Sequence, residues 1–122
     1  MPSHRFSKTQ RVRRRVEFQR VFDIGYKVSS RYFTLLLAPG TSSAARLGIV
    51  ASRKLGDAVH RNRAKRLIRE MFRHIEEAPA SAVDVVVIPR RELFDAAFGE
   101  LQRDFGAAWR RGSSRIRPRD AS

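Results

Sequence analysis

Apolar positions recur along this chain in two rhythms, one near the 3.6-residue period of a helix and one suited to buried strands. Residues 14–24 predict a short helix, with Phe18, Val21 and Phe22 at helical spacing and Gly25 as its C-terminal stop. Arg31 to Ala38, containing Tyr32-Phe33-Thr34-Leu35-Leu36-Leu37, predicts a strand, and Tyr26 to Ser29 a shorter one before it. Pro39-Gly40-Thr41-Ser42-Ser43 reads as a turn or hairpin loop leading to a further strand over Ala45 to Ser52. A long helix is expected from about His60 to Ile75, then a strand Val83-Asp84-Val85-Val86-Val87-Ile88 closed by Pro89. A last helix, from about Leu93 to Arg111, would place Phe94, Ala97, Phe98, Leu101, Phe105, Ala108 and Trp109 on one stripe. The order α-β-β-β-α-β-α describes an α+β fold, one sheet packed against helices. No internal repeat is evident. With 122 residues the chain is one domain in size, placed at residues 11–111 between basic, flexible termini at 1–10 and 112–122.

Charge changes this picture from a fold into a binding protein. Lys and Arg number 26 against 12 Asp and Glu, a net charge of +14. Residues 1–30 and 53–75 each carry eight basic and two acidic side chains, whereas residues 76–109 carry three basic and seven acidic ones. Such blocked positive charge points to a polyanionic partner, with the acidic stretch turned away from it. Arg outnumbers Lys; this suits bidentate phosphate contacts, and it equally suits a genome that favours Arg codons. The absence of Cys excludes a disulfide scaffold, a thiol nucleophile and Cys-ligated zinc. No apolar run approaches the roughly 20 residues of a membrane span. The start Met1-Pro2-Ser3-His4-Arg5 lacks a signal-peptide core, so a cytoplasmic location is expected.

The informative stretch is His60 to Ile75. Ala64, Leu67, Ile68, Met71, Phe72 and Ile75 fall at steps of three and four and form one apolar face. Asn62, Lys65, Arg66, Arg69 and Arg73 fall on the other side. Only Glu70 is available within the helix to pair with the basic residues Arg61, Arg63, Lys65, Arg66, Arg69 and Arg73. Four of these crowd the N-terminal half, where the helix dipole disfavours cations by several tenths of a kcal/mol each. A solvated surface is the ordinary explanation of a charged face; this imbalance favours phosphate instead.

The run Gly48-Ile49-Val50-Ala51-Ser52-Arg53-Lys54-Leu55-Gly56, continuing through Arg61-Asn62-Arg63-Ala64-Lys65-Arg66 to Glu70, closely resembles the signature of the bacterial ribonuclease P protein subunit family. Glu17 to Gly25 resembles that family's first helix, and Arg31-Tyr32-Phe33 its first long strand. The resemblance implies a ribosomal protein S5 domain 2-like fold with a left-handed βαβ crossover, against the usual right-handed rule. It implies a subunit that assists a catalytic RNA in removing the 5′ leader of precursor tRNA, one protein per RNA. Magnesium would be held chiefly by that RNA, with none expected on this chain alone. By the same resemblance Arg53, Lys54, Arg61, Asn62, Arg63 and Arg66 contact the RNA subunit. Phe18, Phe22, Thr34, Leu36, Lys65 and Arg69 form the cleft for single-stranded leader. Family members often carry an aromatic where this chain has Leu36; Tyr32, two residues earlier on the same face, is a candidate substitute.

Other readings remain open on the sequence. Phe18 and Phe22 suit either a leader cleft or the core face of the first helix. A structural RNA-binding protein, such as a ribosomal protein, would share the composition; a double-stranded DNA binder lacks a helix-turn-helix pattern. A protein nuclease fits poorly. Asp57, Asp84 and Asp95 are scattered, and His4, His60 and His74 have no partners at ligand or acid–base spacing, so no catalytic or metal-binding residue is assigned.

Overall fold

The computed structural model of the protein describes residues 11–12, 14–40, 44–75 and 83–116. Three helices, α1 (Arg15–Ile24), α2 (Ala58–Arg73) and α3 (Phe98–Ser113), alternate with four strands, β1 (Tyr26–Ser29), β2 (Phe33–Pro39), β3 (Arg46–Ile49) and β4 (Val83–Pro89). The strands form one sheet in the order β1-β2-β4-β3. β1–β2 and β2–β4 are antiparallel, whereas β3 and β4 run parallel and are joined through α2 as a βαβ unit. The sequence of elements is the expected α-β-β-β-α-β-α.

Each face of the sheet has its own cover. Phe33, Leu35 and Leu37 of β2 and Val85 and Val87 of β4 are buried on the face that receives Ile68 and Met71 of α2 and Leu101, Phe105 and Trp109 of α3. Burying an aromatic or large aliphatic side chain of this kind contributes roughly 1.5–3 kcal/mol. On the opposite face Val21 of α1 packs with Leu36, Ala38 and Val86, and Phe18 lies against this smaller cluster. The apolar stripe of α2 behaves as its periodicity predicts: Ala64, Ile68 and Met71 are fully buried, and Leu67, Phe72 and Ile75 pack at the margin.

Several expectations are corrected. The Pro39-Gly40 segment does not form a hairpin between β2 and β3, because β4 lies between those strands. β2 and β4 are apolar on both faces and therefore occupy the central positions, where both faces are covered. Residues 41–43 of that segment lie outside the described residues. The helix expected over 93–111 is broken. Leu93 and Phe94 belong to a 3-10 turn (Arg91–Asp95), and Ala96 and Ala97 are extended before α3 begins. Ala97 and Phe98, expected on the apolar stripe, are exposed, Phe98 by 39%, so the buried face of α3 begins at Leu101; the spacing of three and four from Phe94 to Leu101 does not by itself reveal the break.

α3 also runs past Arg111. Gly112 is buried close to Leu37, and Ile116 packs on the main core, so folded structure extends beyond the boundary expected at 111. Gly25 does end α1, though with φ of −72° and not through a left-handed turn. A Cβ there would lie 2.3 Å from the Val21 carbonyl oxygen, so the stop is a matter of space. α2 starts two residues earlier than its periodicity suggests because Asp57 caps it, accepting the His60 N–H at 3.1 Å. Gly56, just before, takes φ of +127°, a conformation that side chains rarely adopt.

Candidate nucleic-acid interface

The basic face of α2 is neither buried nor internally neutralised. Among the described residues, only Arg73 of its six basic side chains lies within ion-pair distance of a carboxylate, 2.6 Å from Glu70. Arg61 is half-buried, and its Nη1 donates to the Gly56 carbonyl at 3.2 Å. Asn62, Arg63 and Arg66 are exposed. Arg53 and Lys54 stand exposed on a 3-10 turn (Arg53–Leu55) whose start is capped by the Ser52 hydroxyl. The structure therefore brings the six residues expected to face the RNA subunit onto one turn and the adjoining end of one helix. His60 is exposed at the helix start and lies 2.7 Å from Asp57. That contact holds the Asp57 carboxyl below its usual range. His74 is exposed too, and His4 lies outside the described residues.

Lys65 and Arg69 lean the other way, towards the outer edge of β3. There they line a groove of about 140 Å³ with Phe18 of α1 and Gly48 and Ile49 of β3. Gly48 makes the groove possible: a Cβ there would lie 2.8 Å from the Phe18 ring. Arg11, which bridges to Leu47 alongside β3, is the third cation of the groove. Burial first, and the Arg11 charge second, push the Arg69 guanidinium below its usual range. Like charges crowded at a partly desolvated site are relieved by an anion.

Of the residues expected in the leader cleft, Phe18, Lys65 and Arg69 line this groove, and Phe22, Thr34 and Leu36 do not. Phe22 is 42% exposed and so does not belong to the core; Phe18 is half-buried, both packed and groove-lining. Thr34 and Leu36 face α1 from β2 but are each only 8% exposed. Tyr32 is a correction. It precedes β2 at a bend, so the strand alternation does not reach it, and it turns to the α3 face. Its hydroxyl donates to Glu100, a contact that raises the Tyr32 pKa. It cannot stand in for an aromatic at Leu36.

Sequence reasoning missed several residues around this surface. Asp84, only 1% exposed, is held by the Arg46 guanidinium through bonds of 3.0 and 2.8 Å, and Arg46 also donates to Glu17 of α1 at 3.0 Å. These carboxylates raise the Arg46 pKa, Asp84 most strongly. Arg20 of α1 reaches the same Asp84 at 3.8 Å. A lone acid inside the run Val83 to Ile88 was the available signal, since a buried charge needs partners. Lys27 pairs in register with Leu36 across β1 and β2, and Arg90 donates to the Thr34 hydroxyl at 3.1 Å. Neither placement has a local sequence signature. Among the described residues no group of three or more His, Asp or Glu side chains is arranged to hold a metal ion. No helix among them is long and apolar enough to cross a membrane.

Fold and surface together define a class: a small α+β protein whose covered sheet presents a basic helix, largely without carboxylate partners among the described residues, beside a groove lined by Phe18. A family profile described as Ribonuclease P matches residues 6–113. The ribonuclease P protein component of Pseudomonas aeruginosa is 42% identical across 100% of this chain and 90% of its own length. That of Halalkalibacterium halodurans is 37% identical over 84% of each. Among solved structures, the RNase P protein of Thermotoga maritima is similar with a TM-score of 0.74 and 33% identity, covering 83% of this chain and 96% of that one. The Staphylococcus aureus RNase P protein gives a TM-score of 0.73 at 33% identity, over 84% and 94%. The chain belongs to the ribonuclease P protein family and is thus a protein component of that ribonuclease.

Proposed function

We propose that this chain binds the catalytic RNA of ribonuclease P and the 5′ leader of precursor tRNA, assisting endonucleolytic removal of the leader in tRNA 5′ maturation. The RNA carries the catalytic centre, and the protein contributes binding and positioning. Arg53, Lys54, Arg61, Asn62, Arg63 and Arg66 hold the ribozyme, mainly through phosphates. Phe18, Lys65 and Arg69 hold the leader in the groove, joined by Arg11; Phe22, Thr34 and Leu36, which do not line that groove, extend the leader surface over α1 and β2. A single strand suits such a site because stacking and a basic groove act together, each stacked base contributing roughly 1–3 kcal/mol. Magnesium belongs to the RNA in this reading, the chain acts in the cytoplasm, and one protein serves one RNA.

One observation carries this reading: Arg53, Lys54, Arg61, Arg63, Arg66, Lys65 and Arg69, none within ion-pair distance of a carboxylate among the described residues, run in a row from the Arg53 turn along α2 into the groove beside Phe18. A ribosomal protein would need the first part of that row but not an aromatic groove at its end. The deciding experiment is reconstitution with a bacterial ribonuclease P RNA at low magnesium. The protein is expected to stimulate cleavage of precursor tRNA. Binding of the RNA without stimulation would favour a purely structural RNA-binding role.

A further inference from the structure

The first turns of α2 hold their side chains by different means. Asp57 meets the His60 ring, and the Gly56 carbonyl meets Arg61. Arg63 meets a ring. Its guanidinium carbon lies 5.8 Å from the centroid of Phe94. The His60 ring packs edge-on against the same Phe94, with centroids 5.4 Å apart and planes at 80°. Phe94 is anchored in turn, half-buried on its 3-10 turn and packed against the main core.

The choice of a ring matters. Glu92 and Asp95 flank Phe94 in the chain, yet no carboxylate among the described residues lies within ion-pair distance of Arg63. A carboxylate would order the guanidinium and also neutralise it, in direct competition with phosphate. An aromatic face orders it and leaves its charge intact. The five N–H donors lie in the guanidinium plane, so an arginine can be engaged through its face and keep edge donors for a bidentate phosphate contact. Ordering a rotamer-rich side chain before binding removes that cost from association.

We propose that Phe94 is a positioning residue for RNA recognition, presenting Arg63 to the ribozyme backbone with its side chain already set. The inference rests on the assignment of Arg63 to the RNA interface and adds a residue outside that motif. It is tested with the full chain and ribonuclease P RNA by a double-mutant cycle. Arg63→Ala is expected to weaken RNA binding. Phe94→Leu, which keeps an apolar side chain but removes the ring, is expected to weaken it about two- to five-fold, the range an exposed cation–π contact supports. Phe94→Tyr should restore binding. In the Arg63→Ala background Phe94→Leu should cost nothing further. Additive losses, or a Phe94→Leu protein that binds as well as the parent, would overturn the inference. An Arg63→Ala protein with unchanged affinity would instead remove Arg63 from the interface, the reading beneath it. A measurement on the unaltered protein guards against a folding defect in the leucine variant. The Arg63 side-chain NMR signals should show an aromatic ring-current shift that persists when RNA binds, and its loss on binding would also overturn the inference.

Discussion

Removing Lys65, Arg66 and Arg69 together tests whether the basic face of α2 is an RNA surface. None of the three lies within ion-pair distance of a carboxylate among the described residues, so Lys65→Ala/Arg66→Ala/Arg69→Ala breaks no internal pair. Its effect on stability should be small; taking away the crowded Arg69 even relieves repulsion with Arg11. Binding should respond strongly. Each phosphate contact contributes roughly 0.7 (single strand) to 0.9 (duplex) to the slope of log affinity against log salt, so losing three lowers the slope by about 2 to 3. Between 50 and 200 mM salt that difference amounts to roughly 20- to 40-fold less salt-induced loss of affinity. The assay is a salt titration of equilibrium binding to ribonuclease P RNA carrying bound precursor tRNA. Arg103→Ala on α3, within the acidic stretch of the chain, is the control and should leave the slope unchanged. A folded triple variant with the parental slope would refute the reasoning, as would an Arg103→Ala protein that lowers the slope equally.

Phe22→Ala should weaken holoenzyme binding to leader-bearing precursor by roughly 5- to 150-fold, one stacked base at 1–3 kcal/mol, and leave leaderless tRNA unaffected. Equal losses for both ligands, measured by equilibrium binding, would assign Phe22 to folding rather than to the leader. Arg46→Met leaves the buried Asp84, among the described residues, with only the more distant Arg20 and should cost about 3–5 kcal/mol in denaturant unfolding, the penalty for an orphaned buried charge. A loss below about 1 kcal/mol would show that Asp84 is satisfied without Arg46.

The path from residues to fold was readable where a physical rule is local. The α2 stripe works because Ala64, Ile68 and Met71 must all meet the same sheet, and the short β1 was legible because Tyr26 to Ser29 sits between Gly25 and the bend at Arg31-Tyr32. What failed depends on distant partners. The adjacency of β2 to β4 is a competition among strands for the two central positions, which no single segment encodes. The break before α3 hides behind matching periodicity at Phe94 and Phe98. The basic half of the candidate interface was legible as a surface for the same reason as α2 itself, since fixing one face of a helix fixes the other. The groove was less so: Arg11 reaches it only by bridging to Leu47, and Tyr32 leaves it through a bend.

The attachment of α1 explains how the aromatic side of the groove can exist. α1 has ten residues, too few to be stable alone, and a single fully buried side chain, Val21. A helix held chiefly by apolar packing would have to turn both phenylalanines inward, and Phe22 would be lost to the core. Here Glu17 and Arg20 instead engage Arg46 and Asp84, which face each other in register on β3 and β4. A buried ion pair contributes little net stability compared with an apolar replacement of the same size, yet its geometry is exacting. It fixes the rotation of α1 about its own axis, and that rotation sets Phe18 over Gly48 while leaving Phe22 exposed. Charge does two jobs on the two sides of this sheet. Neutralised inside, it orients the helix that supplies the rings; on α2, where among the described residues only Arg73 has a carboxylate partner, it is left available for the phosphate contacts proposed above.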